Sequence, residues 1–467
     1  MGRIERDPLG EHDVPDGAYY GIQTQRAAEN FPISGLRAAE ELVTATILIK
    51  KAAAASNLAS GNLPEEIARA IMTAADEILA GRFRDQFIVD VYQAGAGTSH
   101  NMNANEVLAN RAAELLKAPK GTYKKVHPND HVNMGQSTND VFPTATRLAL
   151  LLGHQSLVEA SRMLSGSLEA KSREFSGMLK VGRTHLQDAV PITYGQEFSG
   201  YAACIAQGAD DLEAASRQLQ ELNLGATAVG TGINTSAGYP ARVAGFLREY
   251  TGLDLKPARN LFRVTQSMGD VAAYSGAMRR MSIELGKLAS DLRLLSMGPR
   301  AGIAELTLPA VQPGSSIMPG KVNPSVPEMV NQVCFQVMGC DTTVAMACEA
   351  GQLELNVMMP VIAWNALHSS RILRESMRAL RTRCVDGIVA NAERGRELLD
   401  RSTAVATALS PHIGYAATAE IAKEAVRTGK SVRQIAKDRG VLSEEQLNSL
   451  LEPERMTSPE KSGKETK

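Results

Sequence analysis

The chain has 467 residues, with 50 Lys+Arg against 51 Asp+Glu and a formal net charge of -1. That balance excludes a polyanion-binding surface spread over the whole molecule. Hydrophobic residues make up 44% and charged residues 22%, the proportions of a folded chain long enough for several domains or one large elongated one. The start lacks a signal-peptide core, and no apolar stretch reads as long enough to span a bilayer, so the sequence predicts a cytoplasmic protein without a membrane partner. Cys204, Cys334, Cys340, Cys348 and Cys384 form no C-x-x-C pair, which argues against a disulfide framework or a cysteine zinc site and predicts small core residues. Aromatics are only 4%, and small and aliphatic side chains suit helices packed closely along their lengths.

Residues before about Met134 read as shorter helices and turns. A long helix is predicted from Asn139 to Phe175, with Pro143 near its first turn and Leu148, Leu151, Leu152, Val158 and Leu164 at helical spacing. Similar patterns cover Tyr194–Asn223, Met268–Met297, Pro327–Gly351 and Val361–Arg401. Runs of about twenty-five residues or more suggest a bundle whose helices support one another. Few stretches alternate with a period of two, so a large sheet is not expected. Pro411–Leu451 reads as several short helices, and Thr457–Lys467 as a frayed polar tail. Loops rich in Gly, Ser, Thr and Asn separate the rods at Gly95–Asn103, Gly135–Asp140, Gly182–Ala189, Gly225–Gly238 and Gly314–Pro324, and chemistry concentrates on such loops.

Four patterns imitate known sites and fail on inspection. Gly95-Ala96-Gly97 lacks the third glycine and the βαβ context of a dinucleotide turn. Gly314 to Lys321 imitates a phosphate loop with one residue too many, and Val322 stands where a hydroxyl would hold Mg²⁺. His127 and His131 have the spacing of a helical zinc pair, but Pro128 between them interrupts a continuous helix. Ser431–Leu451 has the outline of a helix-turn-helix, with Glu444 and Glu445 opposing phosphate where a recognition helix would start, so no nucleic-acid partner is expected.

Gly314-Ser315-Ser316-Ile317-Met318-Pro319-Gly320-Lys321-Val322-Asn323-Pro324 is different in kind. It holds two hydroxyls, an ammonium and a carboxamide in one glycine- and proline-bent loop, with a helix N-terminus just beyond it that would favour an anion. Interleaved Ile317, Met318 and Val322 suit a lid that excludes water. With Thr98-Ser99, Ser137-Thr138-Asn139 and Thr184-His185, the set describes a site for a small, multiply anionic substrate. From the residues alone His185 is the first choice of general base, because its ordinary pKa lies near neutrality.

Gly314–Pro324 resembles the signature loop of the aspartase/fumarase superfamily. The resemblance continues through Gly21–Ser34, Gly97–Asn110, Asn129–Thr146, Gly182–Phe198, Asn223–Asn234 and Glu349–Pro360. Gly97–Val107, Gly182–Ile192 and Glu349–Val357 resemble the ammonia-lyase branch, and class II fumarate hydratase is the alternative. The resemblance implies a mainly α, three-domain fold: residues 1–139, a central long-helix bundle at 140–393, and a small helical domain at 394–467. It implies a homotetramer with a twenty-helix core and active sites shared by three subunits. It also implies reversible conversion of L-aspartate to fumarate and ammonia, with no organic cofactor and no essential metal. Ser315 then matches the general base, displacing His185 from that role. Thr98, Ser137, Thr138 and Ser316 match the groups that bind the β-carboxylate, and Thr184, Lys321 and Asn323 those that bind the α-carboxylate. Asn139 and His185 match those that hold the amino group. A catalytically silent scaffold would have lost Ser315, Lys321 or His185, and all are present. Met359 and His100 depart from the family pattern, the first where a charged residue is expected and the second where an apolar or hydroxyl residue is.

Overall fold

The structure, a computed structural model, describes residues 2–458, so the expected frayed tail lies outside the described residues from position 459 onward. A hairpin, β1 (Gly2–Asp7) and β2 (Gly10–Pro15), precedes α1 (Ile22–Asn30), α2 (Glu40–Ala59), α3 (Glu65–Leu79) and α4 (Thr98–Leu115). Next come α5 (Thr138–Glu174), a second hairpin of β3 (Leu179–Thr184) and β4 (Gln187–Thr193), and α6 (Tyr194–Ser216). Short strands β5 (Glu221–Leu222) and β6 (Lys256–Pro257) flank α7 (Tyr239–Thr251), and α8 (Leu261–Gln266) and α9 (Gly269–Leu295) follow. After β7 (Leu306–Thr307) the chain forms α10 (Ser325–Glu349), α11 (Met359–Arg383) and β8 (Val389–Ala390). It then forms α12 (Ala392–Arg401), α13 (Ser410–Ile413), α14 (Tyr415–Thr428), α15 (Val432–Asp438) and α16 (Glu444–Leu450). The fold is mainly α, and every sheet among the described residues has two strands.

The chain makes two compact units. The first holds the residues up to Glu159, Gly208–Ser282 and Cys334–Arg374, and the second holds Ala160–Gln207, Ile283–Val333 and Glu375 onward. In the first unit, α3 places Ile67, Ile71, Ala74 and Ile78 on one stripe, packed with Val43 and Ile47 of α2 and Val107 and Leu108 of α4. Against the reading of the sequence, α2 is long and apolar enough to cross a membrane by composition alone. It is a core helix here, with 78% of its apolar window buried inside the protein. In the second unit, Phe175, Phe198 and Tyr201 meet edge to face, with ring centroids 5.2 and 5.7 Å apart. Leu409, Ile421, Val432, Ile435 and Leu447 form a separate C-terminal core under α14–α16. The segment with the helix-turn-helix outline contributes Val432, Ile435 and Leu447 to that core. Ser443 begins α16 with a capping box, and Glu444 pairs with Lys437 at 2.7 Å.

Several expected boundaries move. The rod predicted at Val361–Arg401 stops at Arg383, where Cys384 leaves the helical conformation (φ -135°, ψ -72°), and β8 pairs with β7 before α12 starts. The rod predicted at Tyr194–Asn223 ends as an α-helix at Ser216 and tightens into a 3₁₀ turn at Arg217–Gln220. Gly182–Ala189 lies in a hairpin, not a loop, and Gly95–Asn103 is helical from Thr98 onward. Before Met134 the chain holds β1–β2 and a helix of 20 residues, longer than the pattern suggested. Cys334, Cys340 and Cys384 are buried and Cys348 is half-buried, but Cys204 is exposed.

Candidate active site

In the first unit, the entry to α4 is shaped by glycine. Gly97 has φ 83° and lies so close to Phe142 that a Cβ would sit 2.1 Å from its ring, so this turn admits no side chain there. The Ala96 N–H donates to the Val357 carbonyl at 2.9 Å, and Thr98 opens the helix in an exposed position. One turn on, Asn101 Nδ2 donates to Thr138 Oγ1 at 3.1 Å and to Asn133 Oδ1 at 3.3 Å. That second oxygen also accepts from Asn105 Nδ2 at 3.2 Å and from Lys50 Nζ at 2.8 Å. Lys50 Nζ donates further to Gln136 Oε1 at 2.9 Å. A cleft of about 290 Å³ opens here, lined by Asn133, Gln136, Ser137, Thr227 and Asn234 among others.

The start of α5 is assembled from both sides of this cleft. Asp140, fully buried, accepts the N–H of Ser137, Gly225 and Thr227, each at 2.9 Å. Burial raises its carboxyl to about 6, against those N–H donors and Lys50. Pro143 has no N–H to give the Asn139 carbonyl one turn back, and Asn223 Nδ2 donates there instead at 3.1 Å. Ser137 Oγ accepts from the Asn139 N–H at 3.2 Å, and Thr138 Oγ1 accepts from Asn101, so both hydroxyl hydrogens remain to be given to a ligand. Asn139 Nδ2 is held by the Ala228 carbonyl at 2.9 Å, which turns its Oδ1 into an available acceptor.

Lys50 is the cation beneath these donors, and its sequence context hides it among alanines. Burial drives its ammonium down to about 7, opposed by Asp140. The unfolded chain keeps an ordinary lysine value of ~10.4. Below pH 7 both states are protonated and the cost of the buried charge is fully present. From there to about pH 10 the folded state sheds its proton first and that cost is relieved. Hence a Lys50→Met variant should melt highest relative to the parent below pH 7, and lose ground steadily towards alkaline pH. A melting-temperature difference that stays flat with pH would refute this.

His100 and Met359 are packing residues. His100 is buried beside Phe87 and Phe142, with Nε2 3.0 Å from Thr46 Oγ1. Burial, helped by Lys50, pushes its imidazole down to about 4, so it is neutral at physiological pH. Met359 begins α11 fully buried. The Nδ1 atoms of the His127–His131 pair serve the backbone. His127 Nδ1 accepts the N–H of Asn129 and Asp130, and His131 Nδ1 accepts the N–H of His127 at 2.9 Å.

In the second unit, β3 and β4 carry Thr184 and His185 to an exposed tip. His185 (φ 55°) and Leu186 (φ 60°) both adopt the left-handed conformation that a two-residue hairpin turn demands and that glycine or asparagine usually fills. The Ser315 loop is closed on itself. The Gly314 N–H donates to the Lys321 carbonyl at 2.8 Å, and Asn323 Nδ2 donates to the Gly314 carbonyl at 2.7 Å. Ser315 Oγ accepts from the N–H of Ile317 at 3.2 Å and of Met318 at 2.9 Å. Ser316 and Lys321 are exposed, and α10 begins right after Pro324. Two backbone donors on one hydroxyl oxygen favour its ionised form.

The expected residues thus fall into two groups: Thr98, Ser137, Thr138 and Asn139 in the first unit, and Thr184, His185, Ser315, Ser316, Lys321 and Asn323 in the second. Within the second, no hydrogen bond among the described residues joins Thr184 or His185 to the Ser315 loop. The sequence reading missed Lys50, Asn101, Asn133 and Asp140. Only Asp140 gave a signal, three residues after Ser137 at a helix start.

The chain matches the family model described as Lyase over residues 10–339 and the model described as Fumarase C C-terminus over residues 405–458. It is 49% identical to the aspartate ammonia-lyase of a Bacillus species, over 98% of each chain. It is 48% identical to that of Bacillus subtilis strain 168, over 99% of this chain and 98% of the relative. Among solved structures, a fumarate lyase:delta crystallin from Brucella melitensis, bound to cobalt, superposes with a TM-score of 0.94 at 51% identity. A recombinant class II fumarase from Schistosoma mansoni superposes with a TM-score of 0.96 at 37% identity. Each of these two alignments covers 98% of this chain and 100% of the other.

Proposed function

We propose, for a chain that belongs to the aspartase/fumarase superfamily of lyases, the reversible deamination of L-aspartate to fumarate and ammonia. The enzyme is a carbon–nitrogen lyase. The observation that carries its mechanism is the pair of backbone N–H groups on Ser315 Oγ, because a serine acts as a base only when its alkoxide is stabilised. Ser315 takes a proton from Cβ, and the electron pair left behind moves into the β-carboxylate to give a doubly negative aci-carboxylate. That pair then forms the double bond as the C–N bond breaks and the amino group leaves as ammonia.

Thr98, Ser137, Thr138 and Ser316 bind the β-carboxylate. The free hydroxyl hydrogens of Ser137 and Thr138 support this assignment. One preorganised donor is worth ~3–4 kcal/mol, and an enzyme supplies ~8–23 kcal/mol in all, so several donors on one developing dianion have the right scale. Thr184 and Lys321 bind the α-carboxylate, with Asn323, one of whose amide hydrogens is already spent closing the loop. His185 and the Oδ1 of Asn139 hold the amino group. The reading includes cytoplasmic placement, the three-domain division, and a homotetramer in which three subunits complete each site.

Supplying fumarate with ammonium should yield L-aspartate, and L-aspartate alone should release ammonia and fumarate. Ready formation of malate from fumarate, with L-aspartate untouched, would transfer the assignment to fumarate hydratase.

A further inference from the structure

We propose that Arg183 and Glu305 are a positioning pair that aims the Thr184–His185 tip of the second hairpin. The inference rests on the reading of that tip as a substrate binder. Glu305 is fully buried, and its two oxygens accept from Arg183 Nη1 at 3.1 Å and Nη2 at 3.0 Å, a forked contact one residue before Thr184. Lys180 Nζ, also buried, lies 2.9 Å from Glu305 and 2.9 Å from Glu197. The network therefore contains two cations and two carboxylates.

A buried ion network of this kind is a poor source of stability, since well-packed apolar residues of similar volume commonly do as well or better. What it offers is geometry, and the hairpin needs geometry at this place. The strand ladder shifts register between Val181 and Arg183, around Gly182, where a Cβ would lie 2.9 Å from the Val190 carbonyl. The base of β3 is held by α12, with Gly395 so close that a Cβ would lie 2.9 Å from the Leu179 carbonyl. Beyond the bulge, the Arg183 fork adds a side-chain tether to the Arg183–Asp188 and Thr184–Gln187 strand pairing that carries the tip. The turn itself is stiff, because His185 and Leu186 have less backbone freedom than glycine. The far side of the fork is fixed as well. The Asn391 N–H donates to the Glu305 carbonyl at 2.9 Å, and β7 follows immediately. Arg183 therefore ties the tip to this fixed support.

The test separates position from stability. The double variant Arg183→Met with Glu305→Leu removes one charge of each sign and leaves Lys180 paired with Glu197. Its melting temperature should stay level or rise, while kcat/KM for L-aspartate falls by roughly 100-fold, most of it in KM. If that protein does not fold, Arg183→Lys gives the answer alone, because it keeps the charge and loses the fork. It should raise KM clearly with little change in melting temperature. Combined with Thr184→Val, the effect of Arg183→Lys on KM should largely disappear, since the tether then has less to aim. Arg183→Lys at parental KM would overturn the inference, as would an effect that adds in full to that of Thr184→Val. If Thr184→Val itself leaves KM at the parent value, the reading of the tip as a binder is wrong, and the inference goes with it.

Discussion

Ser315→Ala should lower kcat by roughly 1,000-fold, within the ~10²–10⁴ expected for loss of a positioned base, with fold and association state unchanged. The expectation follows from what surrounds the hydroxyl. Ser315 is half-buried on a loop that is closed by the Gly314–Lys321 backbone bond and the Asn323 side chain, neither of which needs the serine oxygen. Alanine therefore leaves the loop closed and strips the Ile317 and Met318 N–H groups of their acceptor in a place open to water, where the loss costs little stability. KM should move little, because the carboxylate binders are untouched, and that pattern marks an interaction made only in the transition state. Activity within a few-fold of the parent would return the role of base to His185 or to solvent.

The second large effect is a recovery from nothing. Ser315→Ala and His185→Ala proteins should each be inactive, one lacking the base and the other a binder of the amino group. Unfolded together and reassembled, they should regain about a quarter of parental activity if Ser315 and His185 of one site come from different chains. Each donor then has an even chance of being the intact one, and the chances multiply in the proposed homotetramer. Mixing without dissociation should restore nothing, since large apolar interfaces do not exchange readily. Hybrids that stay inactive, beside wild-type protein that recovers through the same cycle, would place both residues in one chain.

The long helices were legible because their buried faces repeat with the helical period. The Ser315 loop was legible because so many polar and turn-forming residues between apolar rods have few structural uses. The β3–β4 hairpin was not, for physical reasons that can be named. Its first strand is buried on both faces over Leu179–Gly182 and so does not alternate, and its turn is His-Leu instead of a glycine pair. The end of α11 was missed because the chain after Cys384 turns to pair β8 with β7, a contact between residues far apart in the chain. Lys50 was invisible because a lysine on a helix normally faces water. Only the packing of α2 on all sides shows that this one does not.

Asn223, Gly225 and Thr227 hold the start of α5 without contributing any of the hydroxyl or amide groups assigned to substrate. What this segment must pass on to descendants is uneven. Gly225 (φ 95°) and Thr227 (φ 53°) serve through their N–H groups and a left-handed backbone path, so drift there is limited by shape and not by side-chain chemistry. Asn223 serves through its amide, which receives Arg147 Nη1 and Thr144 Oγ1 on one side and gives to the carbonyl orphaned by Pro143 on the other. A lineage that replaced Pro143 with an ordinary helix former would restore the Asn139 bond within the helix and free Asn223 from half of that duty. The coupling runs one way: Pro143 can change first, whereas losing Asn223 while Pro143 stands leaves the Asn139 carbonyl without its donor.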